Sequence, residues 1–90
     1  MTERKKVEVN GIEFDVSTEK LAGWHVFQLL KQARQNTNDY EQIDAVMEIV
    51  TYITGLTVDE FVDMCGGEDM PITDIMQTAT ALIMEAYPKN

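Results

Sequence analysis

His25 and Cys65 are the single histidine and the single cysteine of this 90-residue chain, and few other side chains titrate or attack near neutral pH. Together they supply the residue types of a thiolate nucleophile and its base, because separation along a chain says little about distance in space. The competing reading of Cys65 is a small buried hydrophobe, since it ends the short apolar run around Phe61, Val62 and Met64. That reading is preferred. One histidine leaves no histidine pair for a metal, and one thiol excludes three- and four-cysteine zinc sites and an intramolecular disulfide. A reducing compartment is expected.

Other chemistry lacks its parts. Gly66-Gly67 is followed by Glu68 and Asp69, which would repel a phosphate rather than cradle one. The stretch from Asp59 to Asp74 lacks the alternating oxygen ligands and closing glutamate of an EF-hand loop. Glu68 and Asp69 offer at most loose divalent binding. No catalytic residue, cofactor or metal is expected, and the chain reads as a non-enzyme.

Charge is the stronger signal. From Gln35 to Pro88 there is no lysine or arginine, whereas Asp39, Glu41, Asp44, Glu48, Asp59, Glu60, Asp63, Glu68, Asp69, Asp74 and Glu85 all fall there. The formal net charge is −9. The last two-thirds is therefore expected to present a uniformly negative surface that repels nucleic acid and anionic lipid. Roughly half of these acids lie where helix N-termini are expected, and there they complement the helix dipole. Asp44, Glu48, Asp63, Glu68, Asp69 and Glu85 do not, and Asp44 with Glu48 is an unrelieved like-charge pair one turn apart. They are either a solvated face or a surface for a basic partner.

Positioning falls to a small set of elements. Val7, Val9, Ile12, Phe14 and Val16 alternate with acids on either side of Asn10-Gly11, the sequence of a hairpin with a type I′ turn. Such a hairpin must lay its apolar face on other elements. Ser17 is the expected N-cap of a helix from about Thr18 to Gln35, with Ala22, Val26, Leu29, Leu30 and Ala33 on one face. Trp24 and Phe27 point away from that face. They either cover the hairpin or stay exposed as anchors for another chain.

A second helix, near Asp39 to Thr54, carries Ile43, Val46, Met47, Val50 and Ile53 at core spacing and stops at Gly55. Thr57 and Glu60 form a capping box for a short third helix closed by Gly66-Gly67. The last helix, capped by Thr73 or opened by Pro71, repeats Ile72, Ile75, Met76, Ala79, Leu82, Ile83 and Ala86 and ends at Pro88. Met47, Met64, Met76 and Met84 fit core or near-core positions. Residues 1–6 read as a flexible polar N-terminus and residues 7–90 as one α+β domain, an N-terminal hairpin packed on a bundle of about four helices. No apolar run approaches the roughly 20 residues of a membrane span, and the Met-Thr-Glu-Arg-Lys-Lys start has no signal-peptide core, so a cytoplasmic protein is expected.

The stretch Phe14-Asp15-Val16-Ser17-Thr18-Glu19-Lys20-Leu21-Ala22-Gly23-Trp24, after a hairpin around Asn10-Gly11, resembles the opening of small tail assembly chaperones of long-tailed bacteriophages. An acidic middle helix ending in Gly55 and a helical pair interrupted by Gly66-Gly67 extend the likeness along most of the chain as an arrangement. The resemblance implies a small, acidic, mostly helical, non-enzymatic protein, phage- or prophage-encoded, that coats the helical tape-measure protein in the host cytoplasm. Because the chain ends without a frameshifted extension, it implies the short form. The expected partner is a tape-measure-like helix, with homo-oligomerisation as a further expectation, and Trp24, Phe27, Glu41, Asp44 and Glu48 are the candidate partner-binding residues. The alternative is an acidic nucleic-acid mimic that inhibits a host DNA-binding protein.

Overall fold

The computed structural model describes residues 3–35 and 38–87. Strands β1 (Arg4–Val9) and β2 (Ile12–Ser17) pair antiparallel, with Val7 opposite Phe14 and Val9 opposite Ile12. Asn10 and Gly11 both have positive φ, 53° and 81°, as a two-residue type I′ turn demands. Strand β1 begins at Arg4, so polar residues expected to be frayed belong to the sheet. Arg4 explains this: its guanidinium pairs with the Asp15 carboxylate at 3.0 Å and donates to the Asp15 and Thr54 carbonyls. On the solvent face Glu8 stands opposite Glu13, an unfavourable pair. Lys6 relieves it from the diagonal position, 3.7 Å from Glu13.

Five helices follow among the described residues: α1 (Thr18–Leu21), α2 (Trp24–Gln35), α3 (Asp39–Thr54), α4 (Val58–Cys65) and α5 (Ile72–Ala86). The fold is α+β, with the hairpin packed on the helices as expected. The single helix expected from Thr18 to Gln35 is broken at Ala22-Gly23. Ser17 caps α1 by accepting from the Lys20 amide, and the Gly23 amide then bonds back three residues to Lys20 O. A β-carbon at Gly23 would sit 3.3 Å from that oxygen, and glycine is a poor helix former besides. Burial shows what the break achieves. Leu21 is buried, while Trp24, His25 and Gln28, which would share its face in a continuous helix, are exposed. The break swaps faces, so that Val26 and Leu29 reach the core instead.

The centre of the fold is α3. Asn38 caps it through bonds from the Tyr40 and Glu41 amides, and Gly55 ends it in the left-handed conformation. It buries Ala45, Met47, Ile49, Val50, Ile53 and Thr54, a wider arc than the expected stripe, because α2, α5 and β2 all pack on it. Ile43 and Val46, expected in that stripe, are only half-buried. Helix α4 has the expected capping box: the Glu60 amide donates to Thr57 Oγ1 and the Thr57 amide to Glu60 Oε1. Its Phe61 is fully buried against Phe14 of the hairpin, ring centroids 5.5 Å apart. At the start of α5 it is Pro71, not Thr73, that opens the helix. The expected stop at Pro88 lies outside the described residues.

Truncating Phe61 to alanine removes the ring that joins α4 to the sheet. The loss should be about 3–5 kcal/mol, a large part of the about 5–13 kcal/mol expected for a chain of this length. Denaturant unfolding measures it; a loss below 1 kcal/mol would show that the pair is peripheral. Thr57→Ala should lower Tm by several degrees. The Thr57 backbone amide, then its hydroxyl, hold the Glu60 carboxyl below its ordinary value. This stabilisation is present above the unfolded-state value and is lost as pH falls through the lowered native one. The gap between wild type and Thr57→Ala should therefore narrow in acid, and a gap that widens contradicts the box.

Candidate functional site

The hairpin's apolar face is covered by α3, α4 and α5, not by Trp24 and Phe27. Those two rings stack on each other, centroids 5.0 Å apart, and remain 69% and 52% exposed. These aromatics are therefore exposed and do not cover the hairpin. Met64 and Met84 also stand out from the surface rather than in the core, and so does Ile72 at the start of α5.

Most of these exposed groups belong to one feature. Helices α2 and α5 both pack on α3 but make little contact with each other, which leaves a groove between them. At one end a hollow of about 610 Å³ is lined by Phe27, Leu30 and Arg34 of α2 and by Ile83, Met84 and Tyr87 beyond it. At the other end a hollow of about 450 Å³ has Ile43 and Val46 of α3 as its floor, with Ala33 on one wall and Ile72 and Met76 on the other. The outer ridge of α5, with Thr73, Met76, Thr80 and Met84, connects the two ends. The lining is mostly apolar. Its cations are Lys31 and Arg34, and its acid is Asp39. The surface expected to be uniformly negative is thus interrupted by an apolar band with a basic rim.

Partial burial pushes the Tyr87 hydroxyl above its ordinary value, and the nearby Arg34 charge opposes the rise. Neither Lys31 nor Arg34 forms an ion pair among the described residues.

The predicted residues separate into two places. Phe27 lines the groove and Trp24 stacks beside it. Glu41, Asp44 and Glu48 are exposed on the side of α3 opposite its buried face, and none of them lines the groove. One turn beyond Glu48 the row meets Tyr52. His25 stacks edge-on against that ring at 4.7 Å, and the Lys20 ammonium lies 4.9 Å from its centroid. Leu30, Ala33, Ile43, Val46, Ile72, Met76 and Met84 are groove residues that a periodicity reading assigns to the core. Helical spacing cannot tell a buried stripe from a groove wall.

Among the described residues no base stands beside Cys65 to activate it. Its thiol is half-buried beside Thr78, while His25 is engaged with Tyr52. Burial pushes the thiol above its ordinary value, and the Thr78 side chain opposes this. The opposition is weak, because the Thr78 hydroxyl donates to the Asp74 carbonyl at 3.1 Å. Among the described residues no three His, Cys, Asp or Glu side chains cluster as a metal site, and no helix is long and apolar enough to cross a membrane. No family model matches the chain, and no curated protein or solved structure is significantly similar to it.

A thiol of this kind holds little thiolate at neutral pH. Cys65 should react with a disulfide reagent at pH 7 more slowly than free cysteine does. Reaction faster than free cysteine would reinstate it as a nucleophile.

Proposed function

We propose that this chain is a non-enzymatic binding protein that holds an amphipathic helix of a larger partner in the groove between α2 and α5. The resemblance of Phe14 to Trp24 to the opening of phage tail assembly chaperones makes the tape-measure protein the proposed partner and the bacterial cytoplasm the proposed setting. The observation that carries the binding reading is the row of apolar groups Phe27, Met84, Met76 and Ile72 along the groove, with Thr80 between the two methionines. Contiguous exposed apolar surface on a small protein marks an interaction site. Its methionines and aromatics suit a holding role: unbranched thioether side chains repack against varied shapes, and large rings anchor. An amphipathic helix presents apolar groups along one face, and Met76 and Met84 on the α5 ridge offer contacts about two turns apart.

A second reading rests on the exposed row Glu41, Asp44 and Glu48, which has no ion pair among the described residues. It is the mimicry of nucleic acid toward a basic host protein. The row spans only about 10 Å along α3, so it imitates very few phosphates.

Co-expression with a tape-measure-like helical protein separates the two. The wild-type chain should keep that protein soluble. Phe27→Asp or Met84→Asp should abolish this with Tm shifted only slightly, since both positions are exposed. Exchanging Glu41, Asp44 and Glu48 for glutamine should leave it intact. Solubilisation that survives both aspartate variants and fails with the glutamine triple would sink the groove reading.

A further inference from the structure

The charge of the occupant can be argued from the groove itself. On a chain with 16 acidic and 7 basic residues, long-range attraction favours a basic ligand. The groove has the opposite local sign. At its larger hollow the charged side chains in the lining are Lys31 and Arg34, with no carboxylate among them. The acid row of α3 lies elsewhere, and Asp39 stands only at the far end. A simpler account of the two cations is that they compensate the dipole at the C-terminal end of α2. That account explains how far along the helix they lie, but not which side they take. Lys31 is one turn from Phe27, and Arg34 one turn from Leu30, so both share the groove side with those apolar groups. Elsewhere Arg4 and Lys6 are paired with Asp15 and Glu13, Lys20 lies over Tyr52, and Lys5 of the hairpin, outside this groove's lining, has no ion pair among the described residues. Lys31 and Arg34 have no ion pair among the described residues.

We infer that the helix this groove takes carries carboxylates beside its apolar stripe, positioned to meet Lys31 and Arg34. The inference rests on the groove reading above and deepens it by naming the partner's chemistry. Apolar contacts hold the helix, and the two cations select among apolar helices and fix their register. A basic amphipathic helix is drawn to the protein as a whole but meets like charge at this rim.

Two synthetic helical peptides of about 18 residues, free of tryptophan and identical in a leucine stripe, test this. One carries glutamate beside the stripe and the other lysine. Trp24 is the only tryptophan and stacks on Phe27, so its emission reports occupancy. At about 0.15 M salt, where the Debye length is about 8 Å, the remote acids are largely screened. The glutamate peptide should then bind more tightly, by about two- to fivefold for each cation it engages. Lys31→Glu with Arg34→Glu should reverse the order, and Lys31→Gln with Arg34→Gln should erase the difference, with circular dichroism checking that both variants fold. Tighter binding of the lysine peptide to the wild type overturns the inference, as does a preference that neither double variant changes. If neither peptide binds, the groove reading fails instead, and the two failures are distinguishable. A dimer that Met84→Asp splits and the glutamate peptide cannot displace would assign the groove to a second copy of the chain and overturn the inference as well.

Discussion

Helix α3 buries most of its circumference, and the rest of the fold depends on that burial. Ile49, Val50 and Ile53 are fully enclosed because three different elements lean on the same rod. An α-helix is about 10 Å across, so two helices placed on neighbouring sides of a third are held apart unless large side chains fill the space between them. In this chain the filling stops short. Leu30 and Ile83 close the bottom of the gap, and above them Phe27, Met84 and Met76 line open walls. The groove is thus a consequence of central packing rather than a separate device. Loosening α3 would remove floor and walls together.

Local rules carried the sequence reading a long way. Asn10-Gly11 requires two positive φ angles, and the chain provides them. Thr57 and Glu60 exchange their bonds, Ser17 caps, and Gly55 terminates, because each of these depends on backbone groups within a few residues. The break at Gly23 was not legible, because one glycine in a helical pattern is usually tolerated at a modest cost. What decides it is the demand of Leu21 and Val26 for burial on faces that one straight helix cannot offer together. That demand is set by the hairpin and α3, which lie far away in sequence.

The candidate site divides along the same line. Exposed Trp24 and Phe27 could be singled out because they fall off the apolar face of their own helix. Ile72 and Met76 could not, since they fall in the same apolar stripe of α5 as the buried Ile75, Ala79 and Ile83, and nothing in its period marks which edge of that stripe lacks a neighbour. Charge misled in a related way. A count along the chain places every cation of the described helices before α3 and suggests an acid surface afterwards. Folding then sets Lys31 and Arg34 against α5, so the sign of a surface follows tertiary neighbours rather than chain order.

The packing of β1 against α5 joins elements far apart in sequence, and this bears on synthesis. The strand leaves the ribosome before the helices, with the apolar Val7, Val9, Phe14 and Val16 still without the elements that cover them. The α5 helix that covers part of that face follows about 55 residues later. At usual translation speeds of about 5–20 residues per second, the interval is on the order of 3–11 s. For that time the nascent hairpin has a partner still being made, and a chaperone or a neighbouring nascent chain has its best opportunity to intervene.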